Sequence, residues 1–291
     1  MNRKMLLLLR MATLKAKLIP SSVLVLNLIR RYFFRKPLLV RIDNFDGDLT
    51  INLRLNEHMQ SQIFWYGYYS RDILRVLRSL LRPGMVVIDA GANIGEITLV
   101  AAKMVGNSGQ IYAFEPLREI ADELSQNVRL NNFTQVFIQE KGLSDEPGNK
   151  VIFRASSDFH DGSKHEGLAT LYPSEKRATK AGEISLVTLD DFCEQADIKQ
   201  LNLIKMDIEG AELPALRGGM VTLRRFMPYI IVEVQQETAS QAGYNAGDIL
   251  AFLQPMGYRF DVIGRKGRLH SVDAATLRRF QNILCSPVER N

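Results

Sequence analysis

The chain has 291 residues, 46% apolar and 24% charged, the composition of a globular protein able to bury a sizeable core. Its net charge of +5 is uneven: residues 1–42 hold ten Lys or Arg and no Asp or Glu, leaving 27 basic against 32 acidic residues, net −5, in the remainder. That balance argues against a nucleic-acid face over the main part of the chain, and two distant cysteines, Cys193 and Cys285, argue against a disulfide framework or a cysteine metal site.

The N-terminal stretch MLLLLRMATLKAKLIP is broken by Arg10, Lys15, Lys17 and Pro20. It therefore falls short of the roughly 18–20 apolar residues of a spanning helix. The apolar run ahead of Arg10 is also too short for a secretory signal, and no small-residue cleavage site follows. Residues 1–42 are expected to form a basic amphipathic segment, lying on an anionic membrane surface or packed on protein. The chain reads as cytoplasmic, with peripheral contact at the inner membrane surface through this segment. The sequence sets no oligomeric state.

Residues 43–82 form the second section. Short alternating runs over 38–66 predict a small β-rich lead-in. Ser70 is placed as the N-cap of RDILRVLRSLL, in which Ile73, Leu74, Leu77, Leu80 and Leu81 follow helical spacing. Pro83–Gly84 ends that helix.

From residue 83 to 291 strands and helices alternate. The pattern predicts strand 85–89, helix 94–105, strand 110–115, helix 117–130 and strand 135–140. A less regular stretch follows, then strand 201–207, helix 211–225, strand 228–234, helix 246–256 and strand 257–263, with FQNILCSP as a closing strand. Strands separated by helices of this length imply right-handed crossovers and a mostly parallel, Rossmann-like α/β sheet. Ligands in such sheets bind beyond the carboxyl ends of the strands, where the strand order reverses.

Two features fall at consecutive strand ends. In VVIDAGANIGEITLVAAK an apolar strand stops at Asp89, passes through Gly91, Ala92, Asn93 and Gly95, and resumes as a helix. In YAFEP, Glu115 and Pro116 close the next strand, Glu115 lying 20 residues beyond Gly95. An acid there can accept both ribose hydroxyls of a nucleoside. A nicotinamide site favours GxGxxG, whereas here the middle position is Asn93. Asp89 would also repel a pyrophosphate. A carboxylate suits S-adenosylmethionine better, because that cofactor carries a sulfonium and an ammonium group and no phosphate.

The pattern DxGxNxG followed by FEP resembles the first two motifs of class I methyltransferases. NLIKMDIEGAELPALRGG at 202–219 is similar to the signature of the FkbM family of S-adenosylmethionine-dependent O-methyltransferases. NVRLNN at 127–132, GLATLYP at 167–173, VTLDDF at 187–192 and IIVEVQ at 230–235 stand in the same order. The resemblance covers roughly residues 80–235. It implies a seven-stranded sheet with helices on both faces and one antiparallel strand near the C-terminus, S-adenosylmethionine as cofactor, and Asp207 at the position facing the transferred methyl. Pro214, inside the helix after EGAE, departs from an ideal helix start and is expected to cost only a local adjustment.

O-methylation needs a hydroxyl to lose its proton, so a base or a divalent metal is sought near the fourth strand. Asp207, Glu209, Glu212 and Glu233 sit on neighbouring strand ends. Glu209 and Glu212 also open a helix, where the dipole favours acids regardless of chemistry. Asp207 has a structural alternative in pairing with Lys205, two residues earlier. His160 and His165 fall in a loop-like stretch among Asp158, Asp161 and Gly162. The candidate catalytic residues are Asp207, Glu209 and His160. The candidate cofactor residues are Asp89, Gly91, Ala92, Asn93, Gly95, Glu115 and Pro116; no dedicated metal ligand is assigned. The expected acceptor is a small-molecule, sugar, glycan, lipid-linked or natural-product hydroxyl. The alternatives are a nucleic-acid or other small-molecule methyltransferase and an NAD-dependent oxidoreductase. The first of these would carry an NPPY-type loop where this chain has DIEG.

Overall fold

A computed structural model describes residues 3–16, 33, 37–154, 164, 167 and 169–288. The chain forms two compact units, one of residues 1–69 with 155–166, the other of 70–154 with 167–291.

In the smaller unit a helix, Arg3–Ala16, is followed by an antiparallel hairpin of β1 (Leu39–Phe45) and β2 (Leu49–Arg54), with Ile42 opposite Ile51. Asp46 and Gly47 both take positive φ at the turn, as an Asp-Gly pair allows. The β-rich expectation for 38–66 holds for the hairpin and fails at His58–Tyr66, which is helical. The apolar run Ile63-Phe64-Trp65 is too short for its period to separate strand from helix. Lys164 joins this unit through the backbone, accepting from His58 N and donating to Asn56 O.

In the larger unit Arg71–Leu80 is the predicted helix. Ser70 holds the N-cap position, yet its hydroxyl makes no capping bond; its backbone N–H donates to Glu96 instead. The strands that follow are β3 (Val86–Ala90), β4 (Gln110–Phe114), β5 (Val136–Gln139), β6 (Gly142–Leu143), β7 (Gly148–Arg154), β8 (Ala169–Thr170), β9 (Thr179–Val187), β10 (Leu203–Met206), β11 (Tyr229–Gln235), β12 (Tyr258–Ile263), β13 (Leu269–Ser271) and β14 (Phe280–Pro287). The main sheet runs β13-β12-β14-β11-β10-β3-β4-β5. Its five strands from β11 to β5 are mutually parallel, and β14 inserts antiparallel between β11 and β12. This is the expected class I methyltransferase sheet with one correction. An eighth, three-residue edge strand, β13, pairs antiparallel with β12, so two strands oppose the rest. All three residues of β13 are exposed, which leaves no apolar alternation to read.

The stretch read as irregular contains a second sheet, β6-β9-β7-β8. Its long strands GNKVIFR and TKAGEISLV expose most of their residues and bury Ile152, Ile184, Leu186 and Val187 among polar neighbours, so the signal is diluted. The helix expected over 211–225 is two helices, Glu212–Arg217 and Met220–Phe226. The break is at Gly218, where a Cβ would lie 2.2 Å from the Ser144 carbonyl oxygen. Pro214 is the third residue of the first helix, where its missing N–H removes no helical bond.

β3 and β10 bury every residue and pair in register, Lys205 facing Asp89 and Met206 facing Ala90. The strand order reverses between them: from β3 the chain moves outward to β4 and β5, from β10 to β11. The crevice of the fold is therefore at the carboxyl ends of β3 and β10.

Candidate active site

The glycine loop leaves β3 with Gly91 N and Ala92 N both donating to Phe114 O of β4. Gly91 has φ 75°, and a Cβ on it would stand 1.9 Å from the Asp207 carbonyl oxygen. The close approach that requires glycine here is thus made by the chain's own backbone at the end of β10. Asn93 also takes positive φ, 49°, which its short polar side chain tolerates, and its Oδ1 accepts from Ile94 N at 2.8 Å. Gly95 caps the helix Glu96–Val105 in the left-handed conformation. Asn127, fully buried on the helix Arg118–Leu130, donates to Ile94 O at 2.9 Å and holds the loop from behind.

Glu115 is brought against this loop. Its Oε2 accepts from Asn93 N at 3.0 Å and its Oε1 from Leu117 N at 3.1 Å, the first donor after half-buried Pro116. The carboxyl is 4% exposed. Burial pushes its pKa up to about 7, against the two backbone donors and the cations Lys205 and Arg154.

Asp89, expected to face a cationic ligand, is fully buried. Its Oδ2 accepts from Thr98 Oγ1 at 2.6 Å and its Oδ1 lies 3.5 Å from Lys205 Nζ. Lys205 donates to Gly91 O at 2.8 Å and Ala90 O at 3.3 Å, with Asp207 Oδ2 at 3.9 Å. Burial alone would lower the Lys205 pKa; Asp89, Asp207 and Glu233 together raise it above the ordinary lysine value. Lys205 therefore stays charged, a buried cation shared between the loop and the acids.

Asp207 follows β10, half-buried, its N–H donating to Ala90 O. Glu209 takes φ 54° and is 9% exposed; its Oε2 accepts from Arg177 Nη1 at 2.6 Å, and its carbonyl from Thr170 Oγ1 at 2.7 Å. Glu212, also buried, folds this turn around itself. Its Oε1 accepts from Ile208 N, and its Oε2 from Gly210 N and the Tyr244 hydroxyl. Burial pushes its pKa up to about 7. Glu233, at the end of β11, is raised well above the carboxylate range by burial and then by Asp207, Glu209 and Glu212.

Oxygens of Asp207, Glu209 and Glu233 lie within 4.8 Å of one another, a donor set that suits a hard divalent cation. Arg177 already neutralises Glu209, so the trio can also hold together without an ion. His160 and His165 lie outside the described residues. Of the residues that orient the acids, Thr98 and Thr170 lie inside the stretches GEITLVAAK and GLATLYP without being singled out there, whereas Arg177 and Tyr244 fall in no motif at all.

This chain is similar to a known family and, among others, to three proteins of known name. The methyltransferase FkbM domain matches residues 89–260. "Methyltransferase 1" of Beauveria bassiana is 29% identical over 147 residues, 45% of this chain and 57% of that protein. The hexuronic acid methyltransferase AglP of Haloferax volcanii is 24% identical over 185 residues, 63% of this chain and 67% of that protein. The 2-O-methyltransferase NoeI of Sinorhizobium fredii is 27% identical over 165 residues, 54% of this chain and 66% of that protein. The first of these is matched over little more than half its length.

Proposed function

Because this chain belongs to the FkbM methyltransferase family, we propose that it moves a methyl group from S-adenosylmethionine to a hydroxyl of a sugar, glycan, lipid-linked or natural-product acceptor. The observation that carries this reading is the contact of Gly91 with Asp207, which opens the glycine loop, Glu115 and the acids after β10 onto one crevice. AglP, a hexuronic acid methyltransferase by name, supports a sugar acceptor, and NoeI, a 2-O-methyltransferase by name, supports transfer to oxygen.

S-adenosylmethionine supplies an electrophilic methyl on a sulfonium that leaves as a neutral thioether. The chain's own residues supply placement and a proton acceptor. Glu115 and the N–H of Asn93 form the edge on which a ribose fits, the carboxylate accepting from both hydroxyls. Asp89 supports that edge from beneath through Thr98 and Lys205. Asp207, half-buried and more exposed than Glu209, is the residue we assign to take the proton of the acceptor hydroxyl as its oxygen attacks in line. Glu209, locked by Arg177, forms the neighbouring wall. His160 is a second candidate for the base. If a divalent cation takes part, Asp207, Glu209 and Glu233 would hold it and it would lower the cost of ionising the hydroxyl.

Calorimetric titration with S-adenosylmethionine and, separately, with NAD tests the cofactor. Label from methyl-labelled S-adenosylmethionine is then followed into a panel of hydroxylated glycans and lipid-linked sugars. Binding of S-adenosylmethionine with label recovered on oxygen supports the reading; binding of NAD alone, or label recovered on a nucleic acid, sinks it.

A further inference from the structure

The helix Arg3–Ala16 has a fixed inner face and, among the described residues, an exposed outer one. Leu6, Arg10 and Thr13 are buried at 2%, 4% and 1% exposure. Arg10 Nε donates to Phe64 O and its Nη1 to Asn44 Oδ1, both at 2.9 Å, and its guanidinium lies 5.7 Å from the centre of the Phe64 ring. A buried, doubly bonded arginine sets the rotation of the helix about its axis. On the opposite side Met5 is 52% exposed, Leu8 65% and Met11 50%, with Ala12 exposed beside them. Positions 5, 8 and 12 share one face at helical spacing, and Met11 borders it. A folded unit that seats one side of a helix on an arginine and presents methionine and leucine on the other has a surface that water does not favour.

We propose that this outer face docks on an anionic lipid surface, with Met5, Leu8 and Met11 entering the boundary between headgroups and acyl chains. Charge selects the partner. Residues 1–42 hold ten Lys or Arg, of which Arg10 is buried, and no acid, while the rest of the chain is net negative, so the excess of cations lies in the same segment of sequence that carries the apolar face. Among the described residues no helix is long and apolar enough to cross a membrane, which fits docking in the interface plane. Neither the apolar stripe nor the charge depends on the acceptor or the methyl-transfer chemistry.

Leu6 and Phe33 belong to the buried core, so deleting 1–42 would open the smaller unit. Substitution of the exposed face is the cleaner test. The full chain and its Met5→Ser/Leu8→Ser/Met11→Ser variant are floated with vesicles of phosphatidylcholine, with and without phosphatidylglycerol, at low and high salt, and both are sized and melted alone. Serine keeps the charge and removes the apolar area. We expect the parent protein to float with phosphatidylglycerol vesicles at low salt, to lose most of that binding at high salt, and to ignore pure phosphatidylcholine. The variant should bind at least about tenfold more weakly with an unchanged melting temperature. Equal flotation of variant and parent, or no flotation of the parent, overturns the proposal. A parent dimer that the variant converts to monomer also overturns it, because the face then joins two copies of the chain.

Discussion

The Lys205 ammonium donates to the carbonyl oxygen of Gly91 at 2.8 Å, so one buried cation on β10 holds the loop that leaves β3. The same ammonium stands 3.5 Å from Asp89 and 3.9 Å from Asp207. Replacing it removes the partner of a fully buried carboxylate and the tie between the two strand ends at once.

Lys205→Met should therefore destabilise the protein by about 3–5 kcal/mol, the range for stripping one member from a buried ion pair. Denaturant unfolding measures this. A loss below about 1 kcal/mol would mean that Asp89 is held by Thr98 alone.

Glu115 gives the site a pH dependence. Its folded pKa is about 7, against an ordinary glutamate value near 4.3. Folding therefore favours the protonated form: its contribution to stability is full below about pH 4.3 and is lost as pH rises through about 7. Ribose hydroxyls donate to the ionised form, so S-adenosylmethionine affinity should rise between about pH 6 and about pH 8, with protons released on binding. Calorimetry in buffers of different ionisation enthalpy reads both. Glu115→Gln should flatten the profile, and Glu115→Ala should weaken binding by about 1–3 kcal/mol. A flat profile in the parent protein removes the ribose role from Glu115.

Gly91 and Gly257 separate strain from collision. Both take positive φ, 75° and 92°, but a Cβ meets the Asp207 carbonyl oxygen at 1.9 Å in the first and nothing nearer than 4.0 Å in the second. Gly257→Ala should cost about 1–2 kcal/mol, the left-handed backbone alone. Gly91→Ala should cost clearly more and weaken S-adenosylmethionine binding in parallel, since β3 and β10 must part. Equal losses in thermal melts would show that the two strand ends can separate freely.

Asp207→Asn tests the proton acceptor. The amide keeps the size of the half-buried side chain, so S-adenosylmethionine affinity should stay within about threefold while turnover falls by about 10²-fold or more. Because Arg177 already neutralises Glu209, activity should survive dialysis against EDTA. Activity lost to EDTA and restored by Mg²⁺ would instead assign Asp207, Glu209 and Glu233 to a cation.

What could be read from the sequence followed burial. β3 and β10 bury every residue and stand out as apolar runs, and the motifs at their ends and at the end of β4 mark Gly91, Asp207 and Glu115 without a structure. β7 and β9 expose most of their length and mix lysine, glutamate and glycine with a few inward residues, so they pass for loop. The same holds within the site. Glu209 is legible from its motif, but Arg177, its ion-pair partner, lies 32 residues away in a turn without pattern. Tyr244 and Glu212 are likewise 32 residues apart and meet only through the fold. Asp89 was legible as a carboxylate at the crevice, whereas its orientation toward Thr98 and Lys205 depends on the strand register.

The pairing of β3 with β10 has a kinetic consequence. Val86 N donates to Asn202 Oδ1 at 2.8 Å across 116 positions of chain, and Lys205 reaches Gly91 across 114. Neighbouring strands β3, β4 and β5 can pair through single-helix crossovers, but the centre of the sheet closes only when a segment synthesised more than a hundred residues later arrives. Closure of so long a loop lowers the folding rate far more than it lowers final stability. During that interval the apolar edge of β3 is an open template for pairing with another chain. Asp89 then has Thr98 beside it but lacks its cation. Recovery of S-adenosylmethionine binding after dilution from denaturant would therefore lag behind recovery of helix signal, with aggregation competing during the lag.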